Sequence, residues 1–178
     1  MARLFIAIDL PPDTLSALAQ IQPRPVPGLR LTTSSQMHVT LHFIGESDPA
    51  LLANALTKIQ QRTFTLQVRG VGQFPPSGLP SVLWAGIAAT SALTELHAGI
   101  ADVLRGVGLP TESRPYSPHI TLARCTPKVP PRIVEAFLRR NEHLSLPPVA
   151  ITDFHLYSSV MTPSGPVYCC EQSVTLHR

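Results

Sequence analysis

Two short segments of the chain each carry a histidine followed two residues later by a threonine. His38 and Thr40 lie in the stretch QMHVTLHFIG, and His119 and Thr121 lie in SPHITLARC. Successive side chains of a β-strand point to opposite faces, so each histidine would share one face with its threonine. Each segment therefore predicts a surface that offers one imidazole and one hydroxyl group.

Two such surfaces facing each other would suit the cleavage of a phosphodiester. One proton must leave the attacking oxygen and another must reach the departing oxygen, so a histidine is useful at each end. An imidazole pKa of about 6.5 lets one ring be neutral while the other is protonated. The hydroxyls of Thr40 and Thr121 would donate hydrogen bonds to the non-bridging phosphoryl oxygens. A single His-x-Thr strand is usually structural, so catalysis depends on the two segments meeting.

The elements that must position these segments follow the same order in both halves of the chain. The first series consists of a strand with His38, a helix, a strand, a Pro-Ser-Gly turn and a strand. The same series follows His119, with turns at 76–78 and 163–165. We infer a diverged duplication whose copies pack about an approximate two-fold axis. The two His-Thr pairs would then line opposite walls of one cleft.

Three local signals predict where elements begin or end. Asp13 is the expected N-cap of a first helix, which follows a strand in RLFIAIDL. Asp48 before Pro49 is the expected N-cap of a second helix, with proline at its first position. Gly45 is the expected end of the strand that contains the first motif.

Composition indicates a well-packed globular chain. Its 178 residues are 44% hydrophobic and 14% charged, which argues against disorder and suits one compact unit or two small lobes. The formal net charge is +3, which suits an anionic partner without requiring one. Most of the basic residues are arginine, a good ligand for phosphate, although a biased genome would produce the same preference.

Cysteine usage and the N-terminus bear on the cellular compartment. The three cysteines, two of them adjacent at 169–170, do not suggest a disulfide framework. The apolar run near the start is broken by Asp9 and closed by Pro11, too early for a signal segment or a membrane span. We therefore expect a soluble cytoplasmic protein with no membrane partner. A monomer is expected, although the sequence leaves the oligomeric state open.

A metal site is the main chemical alternative. His38 and His42 would share a face of a regular strand, but four residues at about 3.3 Å each separate their Cα atoms by roughly 13 Å. That span is too long for one ion with bonds of about 2 Å. The sequence contains no other cluster at chelating spacing, so we expect no metal and no cofactor.

The segments HVTLHFIG and PHITLAR resemble the paired His-x-Thr-x motifs of the 2H phosphoesterases. Within that superfamily the chain is similar to the RNA 2′,3′-cyclic phosphodiesterases, also called 2′-5′ RNA ligase-like proteins. RLFIAIDLP, LPSVLWAGI and FHLYSSVMTPSGPVY extend the resemblance over nearly the whole chain. It implies one domain over 1–178 with a bilobal α+β fold, in which two antiparallel sheets with outer helices surround a central cleft. It also implies metal-independent opening of a terminal RNA 2′,3′-cyclic phosphate to a 2′-phosphate.

The resemblance also implies a role for each motif residue. His38 would be the proton donor to the departing O3′, and His119 would be the proton acceptor that activates water. Thr40 and Thr121 would contact the phosphoryl group. The residues alone leave the acid and the base interchangeable, because the duplication makes the two histidines nearly equivalent.

Three neighbouring residues are candidate substrate contacts. Arg124 would clamp a phosphate, but regular alternation places it opposite His119 unless a bulge or a strand end intervenes. The same alternation places Phe43 opposite His38, which favours a core position over stacking on a base. His42 would either touch the substrate or be an exposed strand residue.

Hydrolysis of an RNA or nucleotide cyclic phosphate is the leading function. The alternative is a nucleotide- or RNA-binding module of the same fold without turnover, although all four motif residues are present. Ligation of RNA ends through a 2′-5′ bond would use the same cleft, with an RNA hydroxyl in place of water. The sequence leaves the physiological direction and the natural RNA open.

Overall fold

The computed structural model describes residues 2–178, which form ten strands and four α-helices. The strands are β1 Ala2–Ile8, β2 Leu29–Leu31, β3 Val39–Ser47, β4 Phe64–Leu66, β5 Val68–Phe74, β6 Val82–Ile87, β7 His119–Cys125, β8 Val149–Ile151, β9 Asp153–Thr162 and β10 Gly165–Thr175. The helices are α1 Pro12–Ile21, α2 Pro49–Leu56, α3 Ser91–Gly106 and α4 Pro131–Arg140. A short 3₁₀ helix, Ser34–Gln36, precedes β3.

The strands form two four-stranded antiparallel sheets and one small two-stranded sheet. The first sheet has the order β10-β9-β1-β3, and the second has the order β2-β7-β6-β5. The first motif strand, β3, pairs with β1 at an edge, and the second, β7, lies between β2 and β6. The antiparallel α+β fold predicted from the sequence is confirmed.

The chain exchanges strands between the two sheets. After β3 and α2 it continues through β4 into β5, which belongs to the sheet of β7. After β7 and α4 it continues through β8 into β9, which belongs to the sheet of β3. Strands β4 and β8 pair with each other. This order agrees with the predicted repeat, although duplication itself remains an inference. Because each sheet needs strands from both halves, we propose that the halves form one domain.

The observed starts of two helices test the N-caps that were predicted from the sequence. Helix α2 begins as predicted, because the Asp48 carboxylate accepts a hydrogen bond from the backbone nitrogen of Ala50 at 2.9 Å. Helix α1 has Pro11 as its N-cap residue, so the prediction for Asp13 is wrong. Asp13 lies in the first turn instead, where its negative charge is favourable for the helix dipole.

Two other features were not predicted. Helix α3 is missing from the predicted series, although Leu93, Leu96, Ile100 and Leu104 give it a buried apolar stripe. Strand β3 continues past Gly45 to Ser47, so the predicted end at Gly45 is wrong. A break in its pairing with β1 occurs there, and Gly45 adopts a φ of 84° that favours glycine.

One continuous core joins the sheets and helices. Leu18 of α1, Leu56 of α2, Ile100 of α3 and Phe137 of α4 pack into the same buried cluster as Ile6 of β1. The motif strands add Val39, Leu41, Ile120 and Leu122 to this cluster. Burial of these apolar side chains fixes the strands from behind, while their other face remains available. Within 2–178, no helix is both long and apolar enough to span a bilayer.

Candidate active site

Each motif strand contains a β-bulge directly after the motif threonine. The pairing of β3 with β1 skips Leu41, which follows Thr40. The pairing of β7 with β6 skips Leu122, which follows Thr121. An extra residue in one strand shifts the alternation of every side chain beyond it. The bulges therefore decide which later residues share a face with the histidines.

Phe43 and Arg124 are brought to the histidine faces by these bulges. Phe43 is 63% exposed and borders the same pocket as His38. The prediction that Phe43 lies opposite His38 is therefore wrong. Arg124 borders this pocket as well, together with His119. The bulge that a phosphate-contacting Arg124 required is present.

His42 is turned the other way by the same bulge. It is only 3% exposed, so the expectation of an exposed strand residue is wrong. Its Nε2 lies 2.8 Å from the carbonyl oxygen of His97, and the two rings stack with centroids 4.1 Å apart. Burial lowers the pKa of His42, an effect that the His97 carbonyl partly opposes. His42 borders an adjoining pocket that also contacts Thr40 and His119.

The four motif residues line one pocket, here called the motif pocket. Its volume is about 250 Å³, and His38, Thr40, His119 and Thr121 all border it together with Arg124. Of residues 2–178, no aspartate or glutamate borders it. The pocket therefore combines two imidazoles and two hydroxyls with positive charge, a combination that suits an anion with several oxygens.

Aromatic rings enclose His38. Phe5 stacks on its imidazole with centroids 4.9 Å apart, and Tyr168 meets it edgewise at 5.4 Å. This burial is the main reason that the pKa of His38 is lowered to about 4. The negative charge of Asp9 and a hydrogen bond to the Gln36 backbone raise the pKa by smaller amounts. The imidazole is therefore neutral near pH 7 in the free protein.

His119 is oriented by its own backbone neighbourhood. Its Nδ1 lies 2.8 Å from the carbonyl oxygen of Ser117, which can only accept, so Nδ1 donates. The neutral ring therefore carries its lone pair on Nε2. Phe74 packs edgewise on the ring at 4.9 Å. The charge of His119 also lowers the pKa of His38, so the two rings are close enough to interact electrostatically.

Two arginines supply positive charge beside the motif pocket. Arg30 lies directly opposite Arg124 in the pairing of β2 with β7. Burial raises the pKa of the Tyr168 hydroxyl, while Arg124 and Arg30 lower it. Neither guanidinium forms a salt bridge with a carboxylate of residues 2–178. Both are therefore available to an anionic ligand.

Arg30, Tyr168 and Phe5 were not predicted as site residues. Arg30 lies in a three-residue strand, and Tyr168 lies far along the chain in β10. Neither belongs to a motif, and they meet at the motif pocket although β2 and β10 belong to different sheets. No group of three or more His, Cys, Asp or Glu side chains within 2–178 has an arrangement that could hold a metal ion.

Comparison with known proteins identifies the family of this chain. A family model described as the 2′-5′ RNA ligase superfamily matches residues 10–160. An RNA 2′,3′-cyclic phosphodiesterase of Thermus thermophilus is 34% identical over 190 residues, covering 98% of this chain and 90% of the relative. A protein of the same name from Archaeoglobus fulgidus is 29% identical over 171 residues, covering 93% of this chain and 96% of the relative.

A solved structure gives the same result. The crystal structure of E. coli LigT complexed with 3′-AMP matches with a TM-score of 0.79 and 26% sequence identity over 99% of both chains. The chain belongs to the 2′-5′ RNA ligase superfamily.

Proposed function

We propose that this protein is an RNA 2′,3′-cyclic phosphodiesterase, which hydrolyses the cyclic phosphate end of an RNA to a 2′-phosphate. The observation that carries the proposal is the motif pocket, where both histidines and both threonines meet around one space. The names of the relatives from Thermus thermophilus and Archaeoglobus fulgidus support the same activity. The substrate would be an RNA or nucleotide that ends in a 2′,3′-cyclic phosphate.

His119 is the proton acceptor in this proposal. Its Nδ1 is occupied by the Ser117 carbonyl, so Nε2 takes a proton from water as the oxygen attacks phosphorus. The P–O3′ bond breaks, and O3′ receives a proton from His38. The phosphate stays on O2′. The two rings regain their starting states by exchange with solvent.

His38 acquires its proton with the substrate. Burial holds its pKa at about 4 in the free protein, which disfavours the imidazolium near neutral pH. A cyclic phosphate carries one negative charge, and an opposite charge at close range favours the protonated ring. The substrate that needs a proton from His38 therefore also favours the protonated form of His38. Asp9, whose charge raises the His38 pKa, acts in the same direction.

The other residues of the motif pocket would hold and stabilise the phosphoryl group. The Thr40 and Thr121 hydroxyls donate to the non-bridging oxygens, and Arg124 balances the charge that develops on them. Phe43 offers an exposed ring for stacking on a base. His42 would meet only a substrate group that reaches the adjoining pocket beyond Thr40.

Ligation through a 2′-5′ bond would use the same geometry with an RNA hydroxyl in place of water, so that its oxygen attacks phosphorus and the P–O3′ bond breaks. No proton in either reaction needs a metal-bound oxygen, because each moves between a histidine and the substrate, water or the RNA hydroxyl. A binding module without turnover would use the same contacts but leave the cyclic phosphate intact.

The deciding experiment uses purified, metal-stripped protein and an oligonucleotide with a 2′,3′-cyclic phosphate end. The expected product is a 2′-phosphate, identified by its position, and chelator should not reduce the rate. His143→Gln is a matched control, because His143 is exposed and lies outside the motif pocket. Binding without any turnover would favour the module, and a need for added divalent ions would reject the two-histidine scheme.

A further inference from the structure

A second cluster of polar and nucleophilic side chains lies on β9 and β10. The Cys170 Sγ is 4.0 Å from the Nδ1 of His155 and 3.7 Å from the Oγ of Ser173. The same Nδ1 lies 2.9 Å from the Oγ of Ser173. These three residues do not border the motif pocket. A thiol, a hydroxyl and an imidazole therefore meet at a place that the proposed function does not use.

Two carboxylates lie beside the imidazole of this cluster. The Nε2 of His155 is 3.6 Å from an oxygen of Asp9 and 3.6 Å from an oxygen of Asp153. Tyr157 donates a hydrogen bond to Asp9 at 2.7 Å and steadies that carboxylate. Carboxylates favour the tautomer with hydrogen on Nε2, which leaves the lone pair on Nδ1 facing Cys170. An imidazole with carboxylates near one nitrogen and a nucleophile near the other is an arrangement that activates nucleophiles.

The three cysteines of the chain have different surroundings. Cys170 is exposed and lies opposite Tyr157, whereas the adjacent Cys169 is exposed and lies opposite Ser158. Successive residues of a strand face opposite sides, so Cys169 points away from the imidazole. Its thiol has no hydrogen-bonding partner among residues 2–178. Cys125 is half-buried, and burial raises the pKa of its thiol.

We propose that Cys170 is a modification site, the thiol through which small electrophiles attach to this protein. His155 accepts the thiol proton at Nδ1, and the resulting thiolate is the attacking species. With iodoacetamide, the S–C bond forms, the C–I bond breaks and iodide leaves with the bonding electrons. The proton on His155 then passes to solvent. Alkylation consumes no oxidant or reductant, and the proposal is independent of the phosphodiesterase activity.

The test is the rate of iodoacetamide labelling at each cysteine of the full chain, resolved by peptide mass spectrometry. Cys170 should react about tenfold faster than Cys169, because an adjacent base can take the thiol proton as the sulfur attacks. His155→Gln should bring Cys170 down to the rate of Cys169. Ser173→Ala should raise the Cys170 rate, because it frees Nδ1 from a competing hydroxyl. His143→Gln should change neither rate.

Cys125 reports whether each variant is folded. If His155→Gln keeps Cys125 slow and leaves Cys170 as fast as before, the proposal is overturned. If that variant unfolds and Cys125 becomes reactive, the proposal is tested instead by comparing the Cys170 labelling rate of Ser173→Ala with that of the original protein. An unchanged or slower Cys170 in that comparison overturns the proposal, as would equal rates of Cys170 and Cys169 in the original protein.

Discussion

Phe43 and Arg124 occupy equivalent places in the two motif strands, each beyond a bulge that follows a motif threonine. Both side chains border the motif pocket. The backbone device is the same in β3 and β7, but one wall of the pocket receives an aromatic ring and the other a positive charge. The pocket is therefore asymmetric although the motifs are alike. Such a pocket could take the base of a nucleotide toward one wall and its phosphate toward the other.

Loss of either histidine should reduce turnover without preventing binding. His38→Ala and His119→Ala each remove a proton-transfer partner, so each should lower kcat by about 10²–10⁴-fold. The double variant should lose less than the product of the two, because the rings act as one unit. Steady-state kinetics on a cyclic-phosphate substrate provides the measurement. Near-normal turnover in both single variants would rule out the two-histidine scheme.

Threonine variants should show whether the hydroxyl hydrogen bonds to the phosphoryl group strengthen in the transition state. Thr40→Val and Thr121→Val keep the shape of the side chain but remove the hydroxyl donor. A loss of roughly 10²-fold in kcat is expected if each bond strengthens as charge develops on the phosphoryl oxygens. A raised KM with unchanged kcat would instead mean that the bond is equally strong in the ground state. Thr→Ser at each position is the control that retains the donor.

Phe43 should contribute to substrate binding more than to the chemical step. Phe43→Ala removes an exposed stacking surface that is worth about 1–3 kcal/mol per stacked base. KM for a cyclic nucleotide should rise by about thirtyfold, which corresponds to the middle of that range, with little change in kcat. Phe43→Tyr retains the ring and should behave like the original protein. The proposed base contact would be contradicted by an equal KM in the alanine and tyrosine variants.

The pH dependence of kcat/KM should reflect the buried His38. The form with both imidazoles protonated cannot take a proton from water. Because burial holds the pKa of His38 at about 4, that form accumulates only below about pH 4 in the free enzyme. The acidic limb of kcat/KM is therefore expected near pH 4, whereas an acidic limb near pH 6.5 would show that burial does not control this ionisation.

The free energy of unfolding should decrease as the pH is lowered, again because His38 is buried. The pKa of His38 is lowered on folding, so below its ordinary value of 6.5 the unfolded chain binds a proton that the folded chain resists. Its contribution is fully present above pH 6.5 and is lost as pH falls toward about 4. Chemical denaturation across this range should show a decreasing free energy of unfolding. His38→Gln should remove only part of this dependence of the unfolding free energy on pH, because the pKa of His97 is also lowered to about 4.

The family resemblance carried by the two motifs was sufficient to predict the fold class, and local patterns were sufficient to predict the motif strands and the Asp48 cap. The His-x-Thr pairs, the alternating strands and the Asp48 cap each depend on residues close together in sequence, so their structure follows from local geometry. The antiparallel α+β fold and the membership of the superfamily agree with those predictions. Helix α3 had a readable apolar stripe and was missed.

The tertiary structure alone decided what surrounds the motifs. The bulges at Leu41 and Leu122 are defined by how β3 and β7 pair with β1 and β6, and a period-two pattern cannot reveal a skipped partner. Arg30 meets Arg124 only through the pairing of distant strands. The low pKa of His38 arises from burial beside Phe5 and other rings, which depends on packing rather than on neighbours along the chain.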